Sequence, residues 1–156
     1  MTAQFVHLHV HSEYSLVDGT VKINALTSAA ADNDMPAVAL TDRGNLFGMV
    51  KFYKSAMGAG VKPIIGAEIW IRDQDDVNNP FSLVLLVKND IGYKNLTRLI
   101  SRSYVEGQHL GMAMVEYDWL TPEATDGLIA LSGAADGDVG RALVAGNEEL
   151  AVSRLD

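Results

Sequence analysis

Three of the chain's four histidines, His7, His9 and His11, alternate in Phe-Val-His-Leu-His-Val-His. Imidazole is the commonest neutral nitrogen ligand for zinc, manganese or iron. A strand sends alternate side chains to opposite faces, so this spacing predicts three imidazoles on one face and Val6, Leu8 and Val10 on the other. Such a face is a floor for one cation or two adjacent ones; its bland counterpart is a polar strand face with solvated histidines. With no cysteine in the chain, a disulfide framework and thiolate sites are excluded, leaving histidine and carboxylate as ligands. Further polar residues fall where an α/β site should lie: Asp18 after the first strand, Thr41-Asp42-Arg43-Gly44-Asn45 after the second, Glu68 in the third. Singly, they suit a turn pair (Asp18-Gly19), turn and cap roles (Asp42, Asn45) and an edge-strand charge (Glu68). Together, two histidines and two carboxylates at strand ends suggest a multi-metal site that activates water for phosphoester cleavage.

The elements that must position these residues alternate along the chain. Short apolar runs predict strands at Phe5–Val10, Ala37–Leu40, Pro63–Ile71, Ser82–Val87 and Leu128–Leu131. Between them, Lys22–Ala31 places Ile23 and Leu26 at helical intervals, and Asn45–Met57 sets Leu46, Val50, Tyr53 and Met57 on one stripe behind an Asn45 cap. Asp90–Val105 repeats the pattern with Leu96, Leu99, Ile100 and Tyr104 and stops at Gly107, and Asn147 caps a last helix. These β-α-β repeats are most simply parallel, around about five strands. Asp73–Pro80 is a polar loop, and its acidity suits a solvated turn.

At 156 residues and 48% hydrophobic content, one domain with a real core is expected. No apolar run approaches the roughly 18–20 residues a membrane span needs, so a cytoplasmic protein is expected. A net charge of -8 predicts weak or no direct affinity for a phosphate backbone. Lys51, Lys54 and Lys62 form a modest basic cluster that suits a solvated helix face. Trp70, Trp119, Tyr93 and Tyr104 are scattered and suit packing better than base stacking.

Longer motifs carry a resemblance: FVHLHVHSEYSLVDG (5–19), LTDRGNLFG (40–48), GVKPIIGAE (60–68), LVLLVKN (83–89), GYKNL (92–96) and GLIALSG (127–133). In this order they resemble the N-terminal PHP (polymerase and histidinol phosphatase) domains of bacterial replicative polymerase alpha subunits. The resemblance implies an α/β fold, the first part of a distorted seven-stranded, TIM-like barrel of mostly parallel strands with outer helices. Residues 1–156 would then be an incomplete N-terminal portion, without the polymerase core.

What the resemblance implies for the site is a metal centre that has lost ligands. His9, His11, Asp18 and Glu68 match ligand positions of metal-dependent members. The histidine of Thr-Asp-His-Gly is Arg43 here, the histidine before the apolar Leu-Val-Leu-Leu run is Ser82, and the cysteine after Leu-Ser-Gly is Ala134. Arginine stays charged and has no free lone pair, so it cannot take a ligand's place. As a fixed cation it could instead neutralise Asp18 and Glu68. The resemblance therefore implies a structural module that docks the proofreading exonuclease subunit, with no cofactor of its own. The full-length protein would perform magnesium-dependent DNA synthesis. The competing implication is a phosphoesterase or 3′–5′ exonuclease using zinc or manganese on the four remaining ligands, and the blandest is a folding unit with no separable activity.

Overall fold

A computed structural model describes residues 5–16 and 18–155. Two compact units divide the chain, the first ending at Ala67 and the second beginning at Glu68. In the first, β1 (Ala37–Leu40) is buried along its whole length and pairs in parallel with the start of β2 (Lys62–Ile71), Ala37 opposite Lys62 and Leu40 opposite Ile65. Helix α2 (Met49–Gly58) makes the crossover between them, the expected β-α-β unit. Helix α1 (Ile23–Asp32) buries Ile23, Thr27 and Ala30, one face at helical spacing, and packs with Val38, Leu40, Phe52, Ala56 and Val61 into the core.

Two expectations fail in this unit. Residues 5–10 form no strand: a single parallel bridge joins His7 to Val38. The Ala39 N–H donates to the His7 carbonyl (2.8 Å) and the Thr41 N–H to the Val10 carbonyl (2.9 Å), so a step of two residues from Ala39 to Thr41 faces a step of three from His7 to Val10. The extra residue disrupts the ladder and with it the strict alternation. Leu8 is 39% exposed, and the His7 ring sits edge-on to Phe5, centroids 4.7 Å apart. On α2, the stripe read from the sequence faces outward at Val50, Tyr53 and Met57, each more than half exposed, while Phe52 and Ala56 enter the core. Asn45 is not the cap of this helix; its amide donates to the carbonyls of Tyr14 and Arg43 and accepts from the Phe47 N–H.

In the second unit the strand order is β4-β5-β2-β3-β6, with β3 at Phe81–Val87, β4 at Gln108–His109, β5 at Met112–Val115 and β6 at Leu128–Leu131. β2 and β5 run parallel, but β3 with β6 and β4 with β5 are antiparallel. The sheet is mixed rather than mostly parallel, and the described residues contribute six strands to it. Helix α3 (Asp90–Glu106) begins where the Asn89 side chain accepts from the Gly92 N–H and ends at Gly107. A Cβ on Gly107 would lie 1.9 Å from the Met114 carbonyl oxygen, so the turn into β4 needs glycine there. Helix α4 (Pro122–Thr125) carries proline in its first turn behind a Thr121 cap, α5 is Asp138–Val144, and Asn147 caps α6 (Glu148–Ser153) through the Leu150 N–H. β4, β5, α4 and α5 are too short for hydrophobic periodicity to reveal.

Candidate functional site

The loop that follows the histidines is fastened from below by a buried carboxylate. Asp42, 2% exposed at the end of β1, accepts the Ser12 N–H (2.6 Å) on one oxygen and the Ser12 hydroxyl (2.9 Å) on the other. Burial pushes the Asp42 carboxyl up, against the Ser12 N–H and hydroxyl, which favour its charged form. The Thr41 hydroxyl clamps Val10, accepting its N–H (2.8 Å) and donating to its carbonyl (3.1 Å). Ser15 accepts the Arg43 N–H (3.1 Å), tying the far side of the loop to the residue after Asp42. A Cβ on Gly19 would fall 1.6 Å from the Ser12 carbonyl oxygen, so only glycine lets the loop return so closely.

On this base His9 and His11 come together, Nε2 to Nε2 at 3.2 Å. His11 Nδ1 lies 3.0 Å from Asp18 Oδ2, and the Arg43 guanidinium reaches the same oxygen at 2.9 Å. Burial acts to raise the Asp18 carboxyl, but the Ser15 hydroxyl, His11 and Arg43 outweigh it and hold it below the usual carboxylate range. Asp18 is thus an ionised acceptor shared by an imidazole and a guanidinium. His7, expected on the same face, has its ring against Phe5.

The pair has the dimensions a metal requires. Two nitrogens on one tetrahedral ion, each about 2.0–2.1 Å away, stand roughly 3.3 Å apart. With Nδ1 of His11 engaged by a carboxylate, Nε2 is the nitrogen presented for coordination, the usual arrangement for a ligating histidine. Arg43 supplies no donor, and its positive charge beside Asp18 opposes a cation there.

In the second unit, Glu68 lies on β2, 3% exposed, and accepts a hydrogen bond from the Ser82 hydroxyl of β3. A hydroxyl therefore meets the glutamate from the position where the sequence comparison expected histidine. Ala134 is exposed in a turn at φ 50°. The sequence reading missed two polar arrangements: Ser12 and Ser15 as the anchors of the loop, and a cluster of Tyr117, Asp138 and Arg154. In that cluster the Tyr117 hydroxyl donates to Asp138, and the Arg154 guanidinium lies 5.0 Å from the Tyr117 ring centroid. The Ser12 and Ser15 hydroxyls leave no periodic signal; the buried Asp42 directly after an apolar strand was the available clue.

Comparison with known proteins places these features. The profile of the PHP domain matches residues 7–156. The chain is 52% identical over 148 residues to the DNA polymerase III subunit alpha of Pseudomonas fluorescens, covering 94% of this chain and 12% of that protein. Against the Pseudomonas aeruginosa subunit it is 51% identical over 155 residues, covering 99% and 13%. Against that of Escherichia coli K12 it is 46% identical over 147 residues, covering 94% and 13%. The chain therefore spans about an eighth of the length of these curated relatives. Among solved structures, a protein assigned as a metal-dependent phosphoesterase from Bifidobacterium adolescentis aligns over 99% of this chain and 55% of its own, with TM-score 0.52 and 15% identity. An amidohydrolase from Chromobacterium violaceum aligns over 63% of this chain and 32% of its own, with TM-score 0.50 and 21% identity. These two likenesses are of fold.

Proposed function

Because the chain belongs to the PHP domain family, we propose that it is the N-terminal segment of a replicative polymerase alpha subunit, with an eroded metal site and a docking role toward the proofreading exonuclease subunit. Arg43 carries this reading. It binds Asp18 at 2.9 Å, so a fixed cation neutralises a carboxylate at a position the family reserves for ligands. Ser82 follows the same logic, its hydroxyl satisfying Glu68. Template-directed, magnesium-dependent DNA synthesis would belong to the rest of such a subunit, in the cytoplasm, and this segment would contribute structure and attachment.

A second reading has its own support. His9 and His11 present two imidazole nitrogens 3.2 Å apart, two of the three protein donors that a catalytic zinc site usually has beside its open position. A zinc or manganese ion held there would supply an activated water for phosphoester hydrolysis. Asp18 would then orient His11 rather than coordinate, and Arg43 would hold Asp18.

Metal content separates the two. After equilibration with manganese or zinc and removal of loosely bound ions, elemental analysis of the purified chain is expected to find less than about 0.1 ion per chain. One or more tightly held ions, lost on His9→Ala, would overturn the eroded-site proposal in favour of the phosphoesterase.

A further inference from the structure

Beside α3 the second unit holds a cleft of about 290 Å³, walled on one side by Arg98, Leu99 and Arg102 and on the other by Trp119, Thr121 and Ala124. Asn95, 6% exposed, fastens the two walls: its amide donates to the carbonyls of Glu123 (2.9 Å) and Asp126 (3.0 Å). The Arg102 guanidinium lies over the Trp119 ring, 3.9 Å from its centroid, and pairs with Glu106 at 2.8 Å. Two contacts thus hold the guanidinium in place. Its side chain is still 44% exposed, so the face turned away from the indole is open to a further flat group.

The same helix carries like charges side by side. Lys94, Arg98 and Arg102 stand four residues apart on α3, a spacing that puts them on one face and makes them repel. Glu106 neutralises Arg102, but neither Lys94 nor Arg98 has an ionic partner among the described residues. Glu123 also lines the cleft; its own backbone N–H and the Thr121 hydroxyl hold its charge and keep its carboxyl below the usual range. Two exposed cations, about 6 Å apart along the helix axis, therefore lie next to a preformed stack.

We infer that this cleft binds a single nucleotide, its base stacked on the open face of the Arg102 guanidinium and its phosphate taken by Arg98, with Lys94 one turn away. Guanidinium planes are platforms for bases, and an arginine without a partner offers a phosphate a fork of two hydrogen bonds. An inorganic anion would leave the Arg102–Trp119 stack unused, and an uncharged aromatic compound would leave Arg98 unanswered; a nucleotide uses both. The cleft lies at the small end of ligand pockets, which run from roughly 300 to 1,000 Å³, so it suits one nucleotide and not a strand. None of these residues belongs to the histidine site, so nucleotide binding is independent of the role proposed above.

The test is a titration of the purified, isotope-labelled chain with AMP, read by NMR at the indole N–H signals of its two tryptophans. The Trp119 signal, assigned by its loss in Trp119→Phe, is expected to shift saturably with half-saturation below about 1 mM, and adenosine and inorganic phosphate should each bind at least threefold more weakly. Arg98→Glu, at an exposed position, should weaken AMP at least tenfold and leave adenosine unaltered, with circular dichroism and Tm unchanged. Arg102→Ala should weaken both ligands, and Lys62→Glu, a loss of positive charge in the first unit, should affect neither. Absence of a Trp119 shift at about 10 mM AMP, or a shift that survives both arginine substitutions, would overturn the inference. Equal affinity for AMP and inorganic phosphate would reveal an anion site without base contact and overturn it as well. So would a 30-nucleotide single strand that binds more than tenfold tighter than AMP and is lost with Arg98→Glu, since the row would then belong to a nucleic-acid backbone.

Discussion

One carboxylate oxygen organises the candidate site: Asp18 Oδ2 is within hydrogen-bond distance of both His11 Nδ1 and the Arg43 guanidinium. The Asp18 side chain is 32% exposed and that of Arg43 27%, so water screens the pair and its worth is about 1 kcal/mol or less. Arg43→Ala is expected to lower Tm by a few degrees, on the usual scale of about 2–4 °C per kcal/mol at this chain length. Asp18 is held below the usual carboxylate range, so its contribution is complete above the unfolded value near 3.8 and is lost as pH falls through the depressed one. The Arg43→Ala deficit should therefore shrink as pH falls below the unfolded value near 3.8, which a Tm series from pH 2 to pH 7 will show; an unchanged Tm at pH 7 would remove the compensating role of Arg43. Arg43→His restores one imidazole only, and no gain in tightly bound manganese or zinc is expected by elemental analysis.

Among the elements, the end of the second unit is bound by Tyr117, Asp138 and Arg154, which tie the turn after β5 to α5 and α6. Burial pushes the Tyr117 phenol up, and its hydrogen bond to Asp138 raises it further. A group raised in the folded state contributes stability that is complete below its unfolded value near 10 and is lost as pH rises through the folded one. Tyr117 is thus expected to ionise at higher pH than an ordinary phenol in an absorbance titration at 295 nm, and Tyr117→Phe should remove that late step. Helix positions were largely legible in the sequence: α3 starts at Asp90 and stops before Gly107 because a side-chain cap and a glycine mark its ends. Which stripe of α2 is buried was not legible. Both are apolar at helical spacing, and contact with α1 and β1 decides between them.

For the whole molecule, charge is the property that matters most. With a net charge of -8, the chain is expected to bind a 30-nucleotide single strand more weakly than about 10⁻⁴ M at 150 mM salt. Fluorescence anisotropy will measure this, and micromolar affinity would contradict a purely structural segment. None of the described helices is long and apolar enough to cross a membrane. The relatives are some eight times longer, so an alpha-subunit role makes this segment one part of a larger assembly.

By itself the sequence determined the family, through long motifs whose order and composition survive without any structure, and it determined most helices and buried strands, because periodicity and caps are local properties. It also marked His9, His11, Asp18, Glu68, Arg43 and Ser82 as residues to watch. The partners of these residues were decided only in three dimensions. Arg43 and Asp18 lie 25 positions apart and meet because Asp42 holds Ser12, and Ser15 holds Arg43, across the loop. Strand direction was likewise beyond the sequence, since an apolar run fits a parallel or an antiparallel neighbour equally well until the sheet closes around it. The histidine segment departs from a strand for a similar reason: its alternation was sound, but a bulge depends on the strand it lies against.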